Sequence, residues 1–153
     1  MCKDGTAGCY SVVVTRCEDG YTSILDLKDK VLAFADPGLN SSYAVPYYNI
    51  AKEVDTKSFF SAIPFSGSYE AGVAGVAPGT FDAAATWLNN ETQGRWQMMF
   101  TKGMLEEGVI CQIWESPEIT SGPFTARKNL PQGLKDIMKE TVMAVGENHK
   151  EAF

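Results

Sequence analysis

Short apolar runs alternate with helix-forming stretches along almost the whole chain, and turn-forming residues punctuate them. Tyr10 to Arg16 (YSVVVTR) is β-branched and lies between Gly8 and Glu18-Asp19-Gly20, which predicts a strand. Val31 to Ala35, Phe59 to Phe65, Phe81 to Ala85, Val109 to Trp114 and Pro123 to Arg127 read as further strands. Between them, Ser23 caps a short helix with Asp26 as a near capping box, and a helix runs from about Ser41 to Glu53. Pro46 is tolerable there because it lies in or near the first turn. Ser68 caps a helix that stops at Pro78-Gly79, and Thr86 to Glu107 is mostly helical, divided by Gly94 and Gly103. A last helix follows Leu130-Pro131, with Leu134, Ile137, Met138, Thr141, Val142 and Val145 along one face. This alternation predicts an α/β fold: a three-layer αβα sandwich around a mainly parallel mixed sheet. The chain reads as one domain over 1–153, with a core at about 10–145 and a polar tail at 146–153.

Composition narrows the function classes. The net charge of −6 argues against a nucleic-acid surface, which needs clustered Lys and Arg, but leaves room for a small anion held by neutral donors. No apolar run approaches the roughly 18 to 20 residues that span a bilayer. The N-terminus, MCKDGTAGCY, has no apolar core of a leader peptide, so the chain as written reads as cytoplasmic. Cys2, Cys9, Cys17 and Cys111 form no CxxC pair and no metal-ligand spacing. Across a strand at Tyr10 to Arg16, Cys9 and Cys17 stand roughly 26 Å apart at about 3.3 Å per residue, too far for a disulfide. The cysteines therefore read as partly buried thiols.

Histidine occurs once, at His149, which removes most metal sites and any Ser-His or Cys-His nucleophile pair. Neither GxxxxGK[ST] nor GxGxxG is present. Glu106, Glu107, Glu115 and Glu118 read as solvated charge rather than as an acid–base pair. The chain is read as a non-enzyme without cofactor or metal.

Two features survive, and they share one geometry: a buried strand that ends in a small-residue turn and enters a helix through Ser or Asn. One is Ala35 to Ser42, broken by Asp36-Pro37-Gly38; the other is Phe65-Ser66-Gly67-Ser68-Tyr69. In an open α/β sheet, ligands lie beyond the carboxyl ends of the strands, where such loops diverge. Free N–H groups at a helix start make a generic anion site. Asn40 and Ser68 could equally be plain helix caps, with Ser41 and Ser42 left as spare donors. Tyr43, Tyr47, Tyr48, Tyr69 and Trp87 supply either core or cleft wall, and of the adjacent Tyr47 and Tyr48 one must lie near the surface.

The runs GYTSILDLKDKVLAFADPGLNSSYAVP, PFSGSYEAGVAGVAPGTFDAAATW and IWESPEITSGPFTARKNLPQGLKD resemble the phosphonate-binding proteins of ABC transporters. Those are bilobal periplasmic receptors of type II, and the similarity extends from about Tyr10 to about Met143, over the second lobe and the closing C-terminal helix. The resemblance implies one α/β lobe of a cleft for a phosphonate, phosphite or phosphate-like oxyanion, and a periplasmic location. It assigns donors to Asn40, Ser41 and Ser42 from the first loop and to Ser68 and Tyr69 from the second, with Asn89 as a further polar contact. The chain departs from the family at Leu39-Asn40-Ser41, where Ser-Thr-Ser is usual, and at Tyr69, where His is frequent. Asn89 and Gly122 stand where aminophosphonate binders place acidic residues, which argues against an amine-bearing ligand. The implied partners are a small anion and, for a complete receptor, the ABC permease. The alternative is a lobe that acts as an interaction module and self-associates, as a homodimer, through a surface left exposed.

Overall fold

The computed structural model describes residues 8–90, 93–120 and 124–148. Its contacts separate into a unit from Gly8 to Ile119 and a second that holds the chain from Thr120 onward. In the first, strands β1 (Gly8–Arg16), β2 (Leu32–Ala33), β3 (Ala83–Leu88) and β4 (Ile110–Glu115) form an open sheet in the order β2-β3-β1-β4. Helices α1 (Val45–Ile50), α2 (Thr56–Phe59), α3 (Tyr69–Val76) and α4 (Arg95–Thr101) cover it.

β1 is central because it can be buried on both faces. Side chains alternate across a strand, so Val12 and Val14 point into one layer with Val73, Val76, Trp96 and Met99 of α3 and α4. Val13 points into the other, with Ile24, Leu27, Phe34 and Ile50. A strand buried on two sides shows no polar alternation, which is the pattern of YSVVVTR and of AAATWL in β3. The alanines of β3 let α3 approach closely: a Cβ added at Gly72 would lie 3.5 Å from Ala84 Cβ.

The layered mixed sheet agrees with the expectation, but its balance does not. β1 runs antiparallel to both β3 and β4, whereas β2 pairs with β3 in parallel. An apolar strand pairs equally well in either direction, so nothing in the composition of β1 dictates one. The strand expected at Phe59–Phe65 is absent. Asp55 caps α2 by accepting from the Lys57 N–H (3.2 Å), and Pro64 has no N–H for a ladder. Isolated parallel bridges, Val31 to Ala62 and Phe34 to Phe65, remain. Thr86, Trp87 and Leu88 extend β3 rather than beginning a helix, because Val12, Ser11 and Tyr10 of β1 lie opposite them. Of the strand expected at Pro123 to Arg127, Pro123 lies outside the described residues and the rest is not strand.

Other local readings hold. Ser23 and Asp26 form a capping box around the 3-10 turn Ile24–Leu27. Gly94 caps α4, and Gly103 has a left-handed φ of 67°. Cysteine is the clear correction: Cys17 and Cys111 form a disulfide, with Cα atoms 4.9 Å apart. Their sequence separation of 94 hides the pairing, which arises because Thr15 lies opposite Cys111 across β1 and β4. Cys2, His149 and the tail from 149 lie outside the described residues. In the second unit, helix α5 (Gln132–Asn148) forms but continues into the stretch expected as tail, and Leu134, Ile137, Met138, Val142 and Met143 along it are exposed.

Replacing both Cys17 and Cys111 by serine, or reducing the bond, should lower stability to urea by about 3 to 4 kcal/mol, since the closed loop is long. The Asp26 carboxyl is held below its ordinary value, first by the Thr22 and Ser23 backbone N–H groups that it accepts from. Its contribution is complete above the unfolded carboxylate range, about pH 4, and is lost as pH falls through the lower folded value. Melting curves from neutral to acid pH should therefore show a shallower acid decline for Asp26→Asn than for the wild type.

Candidate functional site

The two loops singled out in the sequence meet at the carboxyl ends of the parallel strands. β2 runs in register with β3, Leu32 opposite Ala83 and Ala33 opposite Ala84, so both strands point toward one edge. Beyond β2 the backbone is joined directly to the second loop: the Ser66 N–H donates to the Phe34 carbonyl and the Gly67 N–H to that of Ala35, each at 2.8 Å. The single hydrogen of Ser66 Oγ lies between two acceptors, the Phe34 carbonyl (3.2 Å) and the Ser68 carbonyl (3.0 Å). Gly67, with φ of 88°, supplies the left-handed turn that L side chains avoid.

In the first loop, Asp36 accepts from the Gly38 N–H at 2.7 Å, a side-chain turn of the kind that Asp-Pro-Gly favours. The helix then opens as a wide π turn, Asn40–Ala44, before α1 begins with Pro46 in its first turn. The Ala44 N–H reaches back to the Leu39 carbonyl (3.3 Å), so a π start has one more leading N–H group than an α start without an intrahelical acceptor. Aromatic packing seats this turn: Tyr43 meets Phe34 at 5.3 Å and Phe65 at 5.1 Å between ring centroids, edge to face. Tyr47 packs on Phe34 as well, whereas Tyr48 is the exposed member of the pair.

The side chains then divide by role. Ser41 Oγ and Tyr69 Oη share a hydrogen bond of 2.7 Å, which ties the first loop to the first residue of α3. Ser42 is fully buried and its hydroxyl has no partner among the described residues, an unusual and costly condition for a polar atom. Ser68 is a cap: its Oγ accepts from the Ala71 N–H (3.1 Å), leaving only its own hydrogen to donate. Asn40 is exposed and does not cap, because Leu39 holds the capping position without a side-chain bond. Asn89 lies just past β3 in a third loop, which its N–H closes on the Gln93 carbonyl (3.1 Å). Gly122 lies outside the described residues.

Sequence reasoning missed one feature beside these loops. Glu70, next to Tyr69, forms an ion pair with Arg95, the first residue of α4. The partners are far apart in the chain, and no periodicity links them; only the packing of α3 against α4 does.

Residues 2–153 match the family described as ABC transporter, phosphonate, periplasmic substrate-binding protein. The phosphonates-binding periplasmic protein of Escherichia coli (strain K12) is 29% identical over 156 residues, covering 99% of this chain and 44% of that protein. A solved binding-protein component of an ABC phosphonate transporter from Pseudomonas aeruginosa superposes with a TM-score of 0.66 at 23% identity, over 96% of this chain and 49% of that one. A Prochlorococcus marinus protein solved with methylphosphonate gives a TM-score of 0.61 at 26% identity, over 74% of this chain and 43% of its own. The chain thus spans less than half the length of these relatives.

Tyr69→Phe deletes one partner of the bond between the loops and leaves a largely buried Ser41 hydroxyl alone. Chemical denaturation should show a loss of about 0.5 to 1.5 kcal/mol, and Ser41→Ala in the Tyr69→Phe background should add little to it.

Proposed function

The chain belongs to the family of phosphonate-type periplasmic substrate-binding proteins of ABC transporters, and from that premise we propose that its two joined loops form one wall of an oxyanion-binding cleft. The family consists of binding proteins rather than enzymes, in agreement with a sequence that carries no nucleophile pair. The observation that carries the reading is the 2.7 Å hydrogen bond between Ser41 and Tyr69, which brings hydroxyl donors of separate loops to one point. The unpartnered Ser42 hydroxyl beside it and the leading N–H groups of the π turn and of α3 support it. All these donors are neutral, which suits an anion bound by a chain of net charge −6. Ser41 and Tyr69 would contact the oxyanion, Ser42 would back the wall from its buried side, Asn40 and Ser68 would complete it, and Asn89 would touch the ligand's far side. With an amide at Asn89 in place of a carboxylate, a ligand without an amine fits best.

Within this reading the ligand is a phosphonate, phosphite or phosphate, and the permease is the partner of the whole receptor. The periplasm is the compartment, and the disulfide between Cys17 and Cys111 is of a kind that persists where conditions are oxidising. The cytoplasmic expectation gives way on these grounds. A second reading, self-association, draws on the exposed apolar residues of α5, among them Ile137 and Met143. Sedimentation across a range of concentrations separates the two, because the first reading needs no dimer.

Millimolar methylphosphonate, phosphite or phosphate should raise the melting temperature, by about 2.7 kcal/mol of added stability at a hundred times the dissociation constant. Ser41→Ala should remove most of that shift. If no anion shifts the wild-type melt, the chain does not bind an oxyanion on its own.

A further inference from the structure

Glu70 sits in the first turn of α3, immediately after the tyrosine that meets Ser41. A carboxylate at that place interacts well with the helix N-terminus, yet it has the wrong sign for a site that takes an anion. It competes with the ligand for the same dipole and repels it at short range. Arg95 answers this charge: its guanidinium pairs with Glu70 Oε1 from the start of α4. The Arg95 side chain is only 21% exposed, so the pair is less screened than one on an open surface. Its Nε is buried without a hydrogen-bond partner among the described residues, so the Glu70 carboxylate is the partner that the guanidinium has there. Trp96 and Met99 anchor α4 in the same core layer as Val73 and Val76 of α3, which fixes the distance between the two helix starts.

We propose that Arg95 sets the anion affinity of this site by neutralising Glu70, so that Tyr69 and the α3 N–H groups face the ligand without a competing negative charge. The inference rests on the oxyanion reading above and makes Arg95 a positioning residue that acts through Glu70. It gives the partners opposite signs. Losing Arg95 exposes a carboxylate; losing Glu70 exposes a cation.

Calorimetric titration of the full chain with methylphosphonate tests this on the wild type, Arg95→Gln, Glu70→Gln and the double variant, with thermal melts confirming that each folds. Binding by Arg95→Gln should be about ten-fold weaker, with the deficit shrinking as salt is raised. Glu70→Gln should bind as tightly as the wild type or more so, and the double variant should return to within about two-fold of it. If both single variants and the double variant weaken binding alike, the pair is only a strut and the inference is overturned. Unchanged binding by Arg95→Gln overturns it too. Should Arg95→Gln fail to fold, weaker binding by Glu70→Gln alone has the same force. A wild type that melts normally but binds no methylphosphonate, phosphite or phosphate removes the oxyanion reading and this inference together.

Discussion

The backbone junction beyond β2 holds the candidate site together. At Phe34 and Ala35 the chain offers carbonyls with no further strand to pair them, and the N–H groups of Ser66 and Gly67 take both up. Buried backbone acceptors are costly to leave unmatched, so these bonds fix the approach of the second loop. Ser41 and Tyr69 can meet only because this approach is fixed, and the edge-to-face rings of Phe34, Tyr43 and Phe65 keep the first loop seated on it. Pro64 marks the limit of the arrangement: its carbonyl accepts from the Phe34 N–H, but it offers no donor in return, and the pairing stays a bridge rather than a strand.

Charge is handled locally rather than globally. The chain is acidic overall, and Asp36 and Glu70 both lie at the loops in question. Asp36 spends an oxygen on the Gly38 N–H, and Glu70 is matched by Arg95. The proposed wall relies instead on neutral hydroxyl and amide donors, whose attraction for an anion depends on orientation more than on net charge. A site of this kind gains strength when solvent is excluded from it, as in a cleft with two walls.

Much of the architecture was legible because its signals are local. The capping box at Ser23 and Asp26, the cap at Ser68, the turn at Asp36-Pro37-Gly38 and the doubly buried β1 each follow from a handful of adjacent residues. The failures share a different cause. The direction of β1, the extension of β3 through Leu88, the loss of a strand before Phe65 and the disulfide between Cys17 and Cys111 all depend on what lies opposite in space.

The same division applies to the site. By itself the sequence determined the alternation of strands and helices, the loops that start helices with small polar residues, and, through its resemblance to a receptor family, the kind of ligand to consider. Those are properties of residue order, and they survive without knowledge of any partner. Tertiary structure decided which hydroxyls meet, which are consumed as caps and which charge neutralises Glu70. Hydrogen bonds and ion pairs reach only a few ångströms, and the distances between Ser41 and Tyr69 or between Glu70 and Arg95 exist only once the layers have packed.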